Sequence, residues 1–364
     1  MKKVLHVISS MNTGGMETMI MNFYRNINKD KFKFDFLIND PNKCFYEDEI
    51  NKLGGKIYRV PYQRKNIFKN HRMVREVINK NYDVIHMHQG ITYYYPLKYA
   101  KICGVKNRII HNHGINRNFL KYLKIYNKLY AKKRICSLGN NYVSCAKDVL
   151  DHIFTDDIIK NKKYTLLPNA IDMKKFMYNK EARTKIRTEF NISNSKLFIH
   201  IGTFTIPKNH IFLIEVFEKY LKEFHNSKLL LVGDGPLKEE IKRVVINKKI
   251  EDNVIFAGIR QDIGDLLSAS DVLLFPSIYE GLPLTLIEAQ TNGINIISSS
   301  NVSNECKLSN LIEFLPIDDS NVWVDKIKKL KITSNREMYY KELSETNFSI
   351  EKATKILEGL YNKF

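Results

Sequence analysis

Short apolar runs recur along the chain, each followed by a longer stretch in which apolar positions repeat with helical period. In the first half the runs are Val4–Ser9, Phe34–Asn39, Lys56–Val60, Asp83–His88, Arg108–Asn112, Tyr142–Cys145 and Tyr164–Leu167. In the second half they are Leu197–Gly202, Lys228–Gly233, Asn253–Phe256, Val272–Phe275, Asn295–Ser298 and Ile312–Leu315. These runs are nearly continuous in Val, Ile and Leu rather than alternating, which is the pattern of strands covered on both faces and predicts parallel sheets. Strands separated by helices make an α/β protein, and two such series predict two doubly wound, Rossmann-like domains facing across a cleft. The break falls at the turn-forming cluster Pro168-Asn-Ala-Ile-Asp172. The expected domains are 1–169 and 170–347, with a closing helix at about 348–364 that packs back on the first. A chain of 364 residues is also long for a single core.

Open α/β sheets bind ligands outside the carboxyl ends of their strands, so the strand-to-helix turns are the places to look for chemistry. The richest follows Val272-Leu-Leu-Phe-Pro276: Glu280-Gly-Leu-Pro-Leu-Thr-Leu-Ile-Glu288. Pro283 suits the first helical position, where its missing N–H costs nothing. The amides of Gly281, Leu282 and Leu284 would then face a phosphate, flanked by two carboxylates, Glu280 and Glu288, that can accept hydrogen bonds from hydroxyls. A diphosphate and hydroxyls together describe a nucleotide sugar. Lys208, after the strand ending in Gly202-Thr203, could reach that diphosphate as a point charge. Gly233-Asp-Gly-Pro236 closes the next strand, its glycines acting as turn formers beside the pocket.

In the first half, Gly14-Gly15 follows the first strand and lets backbone come close to a ligand. It is not G-x-G-x-x-G, and a nicotinamide dehydrogenase fits poorly. The pairs His86-x-His88 and His111-x-His113 each place two imidazoles on one sheet face. No carboxylate or cysteine accompanies them, and a zinc site takes three or four ligands, so neither metal nor other cofactor is expected. His113, before Gly114 at a strand end, is placed to bond substrate; His86 and His111 read as packed residues.

Net charge changes the picture of the first half. The chain carries +19, and between Asp83 and Asp148 there are twelve Lys and Arg and no acid. Over 117–132 a helical wheel gathers Phe119, Tyr122, Leu123, Tyr126, Leu129 and Tyr130 on one face and Arg117, Lys121, Lys124, Lys128 and Lys132 on the other. A purely basic counter-face suits an anionic bilayer; the alternative is tyrosines facing the core with lysines in water, and no RNA-binding module signature accompanies the basic stretch. No run of about 18 apolar residues spans a membrane, and the first strand lacks a signal-peptide cleavage site. Five cysteines without C-x-x-C spacing read as reduced thiols. The expected place is therefore the cytoplasm, peripheral on the inner face of the membrane.

At this point the chain resembles the retaining glycosyltransferase family 4, the group 1 glycosyl transferases of GT-B architecture. The resemblance covers essentially the whole chain and rests on Gly14-Gly15-Met-Glu17, His113-Gly114, Pro168-Asn169-Ala-Ile-Asp172, Lys208-Asn209, Gly233-Asp-Gly-Pro236 and the Glu280…Glu288 pair. Its flavour is similar to bacterial capsule and exopolysaccharide transferases. The resemblance implies that Glu288 binds ribose hydroxyls and Glu280 the transferred sugar. It implies that Lys208 and the amides after Gly281 hold the leaving diphosphate, and that His113 bonds the donor sugar near the reacting carbon. It further implies a metal-independent transfer with retention, from a nucleotide sugar, a UDP-sugar being the better match, to a lipid-linked or saccharide acceptor. The family usually has Arg where this chain has Thr203, which would remove about 1.5–3 kcal/mol of charge-assisted bonding unless another group, such as Arg260, substitutes. Thr203 therefore leaves open a non-catalytic nucleotide-sugar-binding protein, and the basic half leaves open an RNA-binding one.

Overall fold

The computed structural model describes residues 1–91, 93–113, 125–280 and 282–364, with backbone alone for 125–128. It divides into two units, Met1–Ala170 with Ile350–Phe364, and Ile171–Ser349. Each expected apolar run is a strand. The first unit holds β1 (Lys2–Val7), β2 (Phe32–Ile38), β3 (Ile57–Arg59), β4 (Val84–Met87), β5 (Asn107–Asn112), β6 (Asn141–Ser144) and β7 (Thr165–Leu166) in the order β3-β2-β1-β4-β5-β6-β7. The second holds β8 (Lys196–Ile201), β9 (Ser227–Val232), β10 (Val254–Gly258), β11 (Val272–Phe275), β12 (Asn295–Ser299) and β13 (Ile312–Leu315) in the order β10-β9-β8-β11-β12-β13. Every pairing within these sheets is parallel.

The helices that position the groups discussed below are α1 (Gly15–Asn26) after β1, α2 (Ile67–Ile78) before β4, α3 (Tyr95–Ile102) before β5 and α4 (Ile125–Leu138) before β6. In the second unit they are α5 (His210–Leu221) after β8 and α6 (Leu284–Asn292) after β11; α7 (Ile350–Tyr361) ends the chain. Burial on both sheet faces explains the unbroken apolar runs. Along β1, Val4 packs with α1 and α7, while its neighbour Leu5 packs with α2, α3 and α4 on the other face. β8 divides likewise, Phe198 into one core and Leu197 and Ile199 into the other.

α7 carries its apolar stripe at Ile350, Ala353, Leu357, Leu360 and Tyr361, a helical spacing that buries one face, and this face lies in the first unit's core against α1. Its last turn is tied down by polar contacts: Asn107 Nδ2 donates to Leu360 O (2.8 Å), and the Tyr361 hydroxyl lies 2.8 Å from His86 Nδ1.

One sequence expectation is reversed on α4. Lys132 does not face outward with a basic stripe: it is buried, and its ammonium donates to the Asp151 carbonyl. Ile135 and Cys136 share its buried side, whereas Leu129 and Tyr130 are 55% and 60% exposed. The physical reason is that Lys132, Ile135 and Cys136 follow the i, i+3, i+4 spacing of a core-facing stripe, so the long lysine stem is packed and only its head finds a carbonyl. Arg117, Lys121 and Lys124 lie outside the described residues, as does the side chain of Lys128.

Tyr361 is fully buried. Tyr361→Ala is expected to cost about 3–5 kcal/mol through the cavity it leaves, and Tyr361→Phe about 1–3 kcal/mol by leaving His86 Nδ1 without a partner; chemical denaturation followed by circular dichroism measures both.

Candidate functional site

Both strand orders reverse once, between β1 and β4 and between β8 and β11, and such a reversal opens a crevice at the carboxyl ends. In the second unit Lys208 and Glu280 meet there. Lys208 ends a 3-10 turn (Ile206–Lys208), and Asn209, in the left-handed region at φ 53°, swings the chain into α5. Its stem runs past Gly202, where an added Cβ would stand 3.1 Å from Lys208 Cδ. Its ammonium lies 2.5 Å from Glu280 Oε1 and 4.9 Å from the centre of the Phe275 ring. The two side chains are only 19% and 22% exposed. A hydrogen bond from Ile278 N to Pro207 O (2.8 Å) pins the two loops together, and Glu280 forms a bridge with Val302. Each charge thus compensates the other in a site where either alone would carry a desolvation penalty.

Next to this pair, α6 begins one residue later than expected. Pro283 is the N-cap, with extended backbone at ψ 112°, and Leu284 is the first helical residue. The open amides of the first turn are therefore those of Leu284 and Thr285. Leu282 is half-buried beside them, and Gly281 lies outside the described residues. Glu288 stands one turn on from Leu284, half-buried, with no hydrogen-bond or ion-pair partner among the described residues. Desolvation pushes its carboxyl up to about 7. Hydroxyl donors brought to it would favour the ionised form again.

Thr203 is exposed, and its carbonyl, not its side chain, is engaged, accepting from Thr205 N (2.8 Å). Arg260 does not take the place of a second cation: its guanidinium is held by Glu189 and Asp262, each at 2.6 Å, and these carboxylates raise its pKa further. Gly233 has a packing reason of its own. It sits at φ 137°, and a Cβ there would come 2.2 Å from the Gly202 carbonyl oxygen.

Sequence reasoning passed over His200 and His210. His200 is buried on β8 with Nδ1 2.8 Å from the Leu274 carbonyl, which makes that nitrogen the donor and leaves Nε2 without a partner. His210 opens α5 stacked on Phe204 (ring centres 4.2 Å apart), and neither of its nitrogens has a partner among the described residues. Desolvation, with Lys208 adding to it, lowers His210 to about 4, and burial holds His200 well below its usual range. The signal that could have found His210 was its position directly after Lys208-Asn209.

In the first unit the neighbouring strands β1, β4 and β5 carry Gly14-Gly15, His88 and His113 at or just beyond their carboxyl ends. Gly14 caps α1 in extended conformation, and nothing lies within 4 Å of where a Gly15 Cβ would stand. Behind them, His6 joins the two expected pairs because β1 and β4 align His6 with His86. His6 Nδ1 lies 2.9 Å from His88 Nε2, His88 Nδ1 lies 2.8 Å from His113 Nε2, and His86 Nε2 lies 3.2 Å from His111 Nδ1. Burial keeps all five imidazoles neutral, with His6 and His113 lowered to about 3. The ligand count used to discount a metal is corrected by this packing. His6, His86 and His88, and again His88, His111 and His113, bring nitrogens within 4.8 Å of one another. Most of those nitrogens are engaged with each other. A cavity of about 850 Å3 lined by Arg183, Arg187, Lys196 and Asp271 lies at the opposite, amino ends of β8 and β11, where both guanidinium groups already donate to backbone carbonyls.

Two pairs of measurements separate fold from site. Gly15→Ala is expected to leave the melting temperature unchanged because its Cβ meets nothing, whereas Gly233→Ala should cost at least about 2 kcal/mol from strain and collision. For Glu288, whose carboxyl is raised from 4.5 to about 7, the stability present below pH ~4.5 is lost as pH rises through ~7. Glu288→Gln should therefore match the parent near pH 4.5 and exceed it above pH 7 by on the order of 2 kcal/mol, as read by thermal unfolding across pH.

Comparison with known proteins identifies the family and the fold. Residues 182–342 match the model of glycosyl transferases group 1, and residues 13–175 that of glycosyltransferase family 4. The putative glycosyltransferase EpsF of Bacillus subtilis is 30% identical over 99% of this chain and 96% of its own. The UDP-Gal:alpha-D-GlcNAc-diphosphoundecaprenol alpha-1,3-galactosyltransferase of Escherichia coli is 24% identical over 99% and 96%. Among solved structures, Anabaena Alr3699/HepE in complex with UDP superposes with a TM-score of 0.79 at 14% identity, over the whole of both chains. The two parallel-sheet units are those of the GT-B fold, and the chain belongs to the family 4, group 1 glycosyltransferases.

Proposed function

We propose that this glycosyltransferase moves a sugar, with retention, from a UDP-sugar to a lipid-linked saccharide in the assembly of a bacterial surface polysaccharide. The observation that carries the reading is the Lys208–Glu280 pair beside the first turn of α6, with Glu288, one turn on, having no partner among the described residues. In this reading the diphosphate draws Lys208 away from Glu280 and takes the Leu284 and Thr285 amides, with those of Gly281 and Leu282. Glu280, released, accepts hydrogen bonds from the sugar hydroxyls, and Glu288 accepts them from the ribose. His113, neutral and fixed by His88, bonds the donor sugar, and Gly14-Gly15 leave room for diphosphate and acceptor. Fixed dipoles and one ammonium stabilise the departing phosphate without a metal. No carboxylate is assigned as a covalent nucleophile; attack occurs on the face from which the phosphate leaves.

The donor nucleotide and the lipid-linked acceptor are supported by the name of the Escherichia coli relative and by the UDP in the HepE structure. A place on the inner face of the membrane is supported by the acid-free basic stretch between Asp83 and Asp148 and by the exposed Leu129 and Tyr130; among the described residues no helix is long and apolar enough to cross a bilayer. A non-catalytic nucleotide-sugar binder of the same fold is favoured by one observation, Thr203 without a compensating Arg260, and turnover of any donor rejects it.

Lys208→Ala is expected to lower transfer by at least 100-fold, consistent with losing one charge-assisted contact worth about 2.7 kcal/mol or more in the transition state, while the protein stays folded; near-parental turnover would sink the assignment. Because binding ionises Glu288, affinity for a UDP-sugar should rise as pH increases towards ~7 and then level off. Isothermal titration calorimetry should show proton release on binding near pH 6, and Glu288→Gln should remove both effects.

A further inference from the structure

The start of α2 exposes apolar side chains where a helix resting only on its own core would show polar ones. Asn66 caps the helix, its side chain accepting from Lys69 N (2.9 Å), so the first turn has a set geometry. The core-facing positions are Asn70, Val74, Val77 and Ile78. Phe68 stands off that stripe and is 87% exposed; Ile67 beside it and Tyr62 in the preceding turn are each 43% exposed.

The charge around this turn is of one sign. Between Glu49 and Glu76 the chain has eight Lys and Arg and no acid. Arg64, Lys65, Lys69, Arg72 and Arg75 are exposed around the apolar tip. Among the described residues Arg64, Lys65, Lys69 and Arg75 have no carboxylate partner; Arg72 reaches Glu76 at 3.5 Å. An apolar tip ringed by exposed cations, most of them without a carboxylate partner among the described residues, is complementary to a surface that offers hydrocarbon a few ångströms beneath a layer of negative charge.

We propose that the first turn of α2 is a bilayer-insertion point: Ile67 and Phe68 enter the acyl boundary of an anionic membrane, Tyr62 sits at headgroup level, and Arg64, Lys65, Lys69 and Arg72 bind lipid phosphates. This rests on the membrane-peripheral reading above and assigns it a surface distinct from 117–132. A bilayer fits better than single-stranded nucleic acid. Ile67 offers no stacking face, and Phe68 projects from a helix tip rather than lying flat in a basic groove.

The experiment uses the full chain carrying Phe68→Trp. The one native tryptophan, Trp323, is fully buried in the second unit, so a change in emission on adding vesicles reports position 68. Vesicles of equal parts phosphatidylglycerol and phosphatidylcholine should shift the emission to the blue, and brominated lipid should quench it; pure phosphatidylcholine should give little of either. In sedimentation with the same anionic vesicles, the double variant Ile67→Ser, Phe68→Ser should bind at least about tenfold more weakly. Lys65→Glu with Lys69→Glu should lose about fivefold or more per position. All variants should keep the parental melting temperature and the parental rate on a soluble, short-chain acceptor.

Unshifted emission at position 68, or variants that sediment as the parent does, would overturn the insertion point while leaving the enzymatic reading intact. Loss of polyuridylate binding in the charge variants with vesicle binding unchanged would assign the patch to nucleic acid instead. Vesicle insertion without turnover of any donor would preserve the surface and remove the proposed catalysis.

Discussion

Everything in this protein that can do chemistry is placed by one constraint: both sheets are wholly parallel and buried on both faces. A parallel pair cannot be joined by a tight turn, so every strand must hand the chain to a crossover that returns across the sheet. All strand-to-helix turns of a unit therefore gather along one edge, where the order reverses. At β8 and β11 this brings Lys208 to within 2.5 Å of Glu280 across 72 positions of sequence. At β1, β4 and β5 it stacks five histidines contributed by three strands.

The two edges solve burial differently. In the first unit most of the imidazole nitrogens satisfy one another, though His6 Nε2 and His111 Nε2 have no partner among the described residues, and burial holds the rings neutral, so the cluster carries no charge to repel itself. In the second, several groups are left incompletely satisfied. Glu288 keeps a carboxyl raised towards neutrality, and neither nitrogen of His210 has a partner among the described residues. Unpaired buried polar atoms cost stability, and in the proposed reading a ligand bound at the first turn of α6 would offset that cost at Glu288. Lys208 and Glu280 limit that cost by neutralising each other, which holds in place the ammonium that the proposed reading assigns to a diphosphate.

How much could be read beforehand follows from how local each cause is. Strand identity and parallel pairing were legible because two-sided burial writes itself into unbroken apolar runs such as Val272–Phe275, and the Glu280…Glu288 turn was legible because its members lie within nine residues. Pro283 shows the limit of such reading, since whether a proline caps a helix or opens it depends on one backbone angle. Lys132 shows a sharper limit: the helical wheel placed it with the basic face, yet the same spacing serves a core-facing stripe, and only contact with the Asp151 carbonyl decides which side is inward. His6 was invisible as a member of the cluster because its histidine neighbours, His86 and His88, lie 80 or more residues away.

Sequence alone therefore determined the fold class, the family and the short-range grouping of carboxylates and glycines, all of which rest on periodicity and on neighbours along the chain. Tertiary structure alone decided that Arg260 belongs to Glu189 and Asp262 and that Gly233 is needed by the Gly202 carbonyl. It also decided that Glu288 has no partner among the described residues and that Phe68 protrudes beside exposed cations. Those outcomes depend on which atoms meet across the fold and which are left facing solvent. Pairing and exposure are properties of space, and no spacing along the chain encodes them.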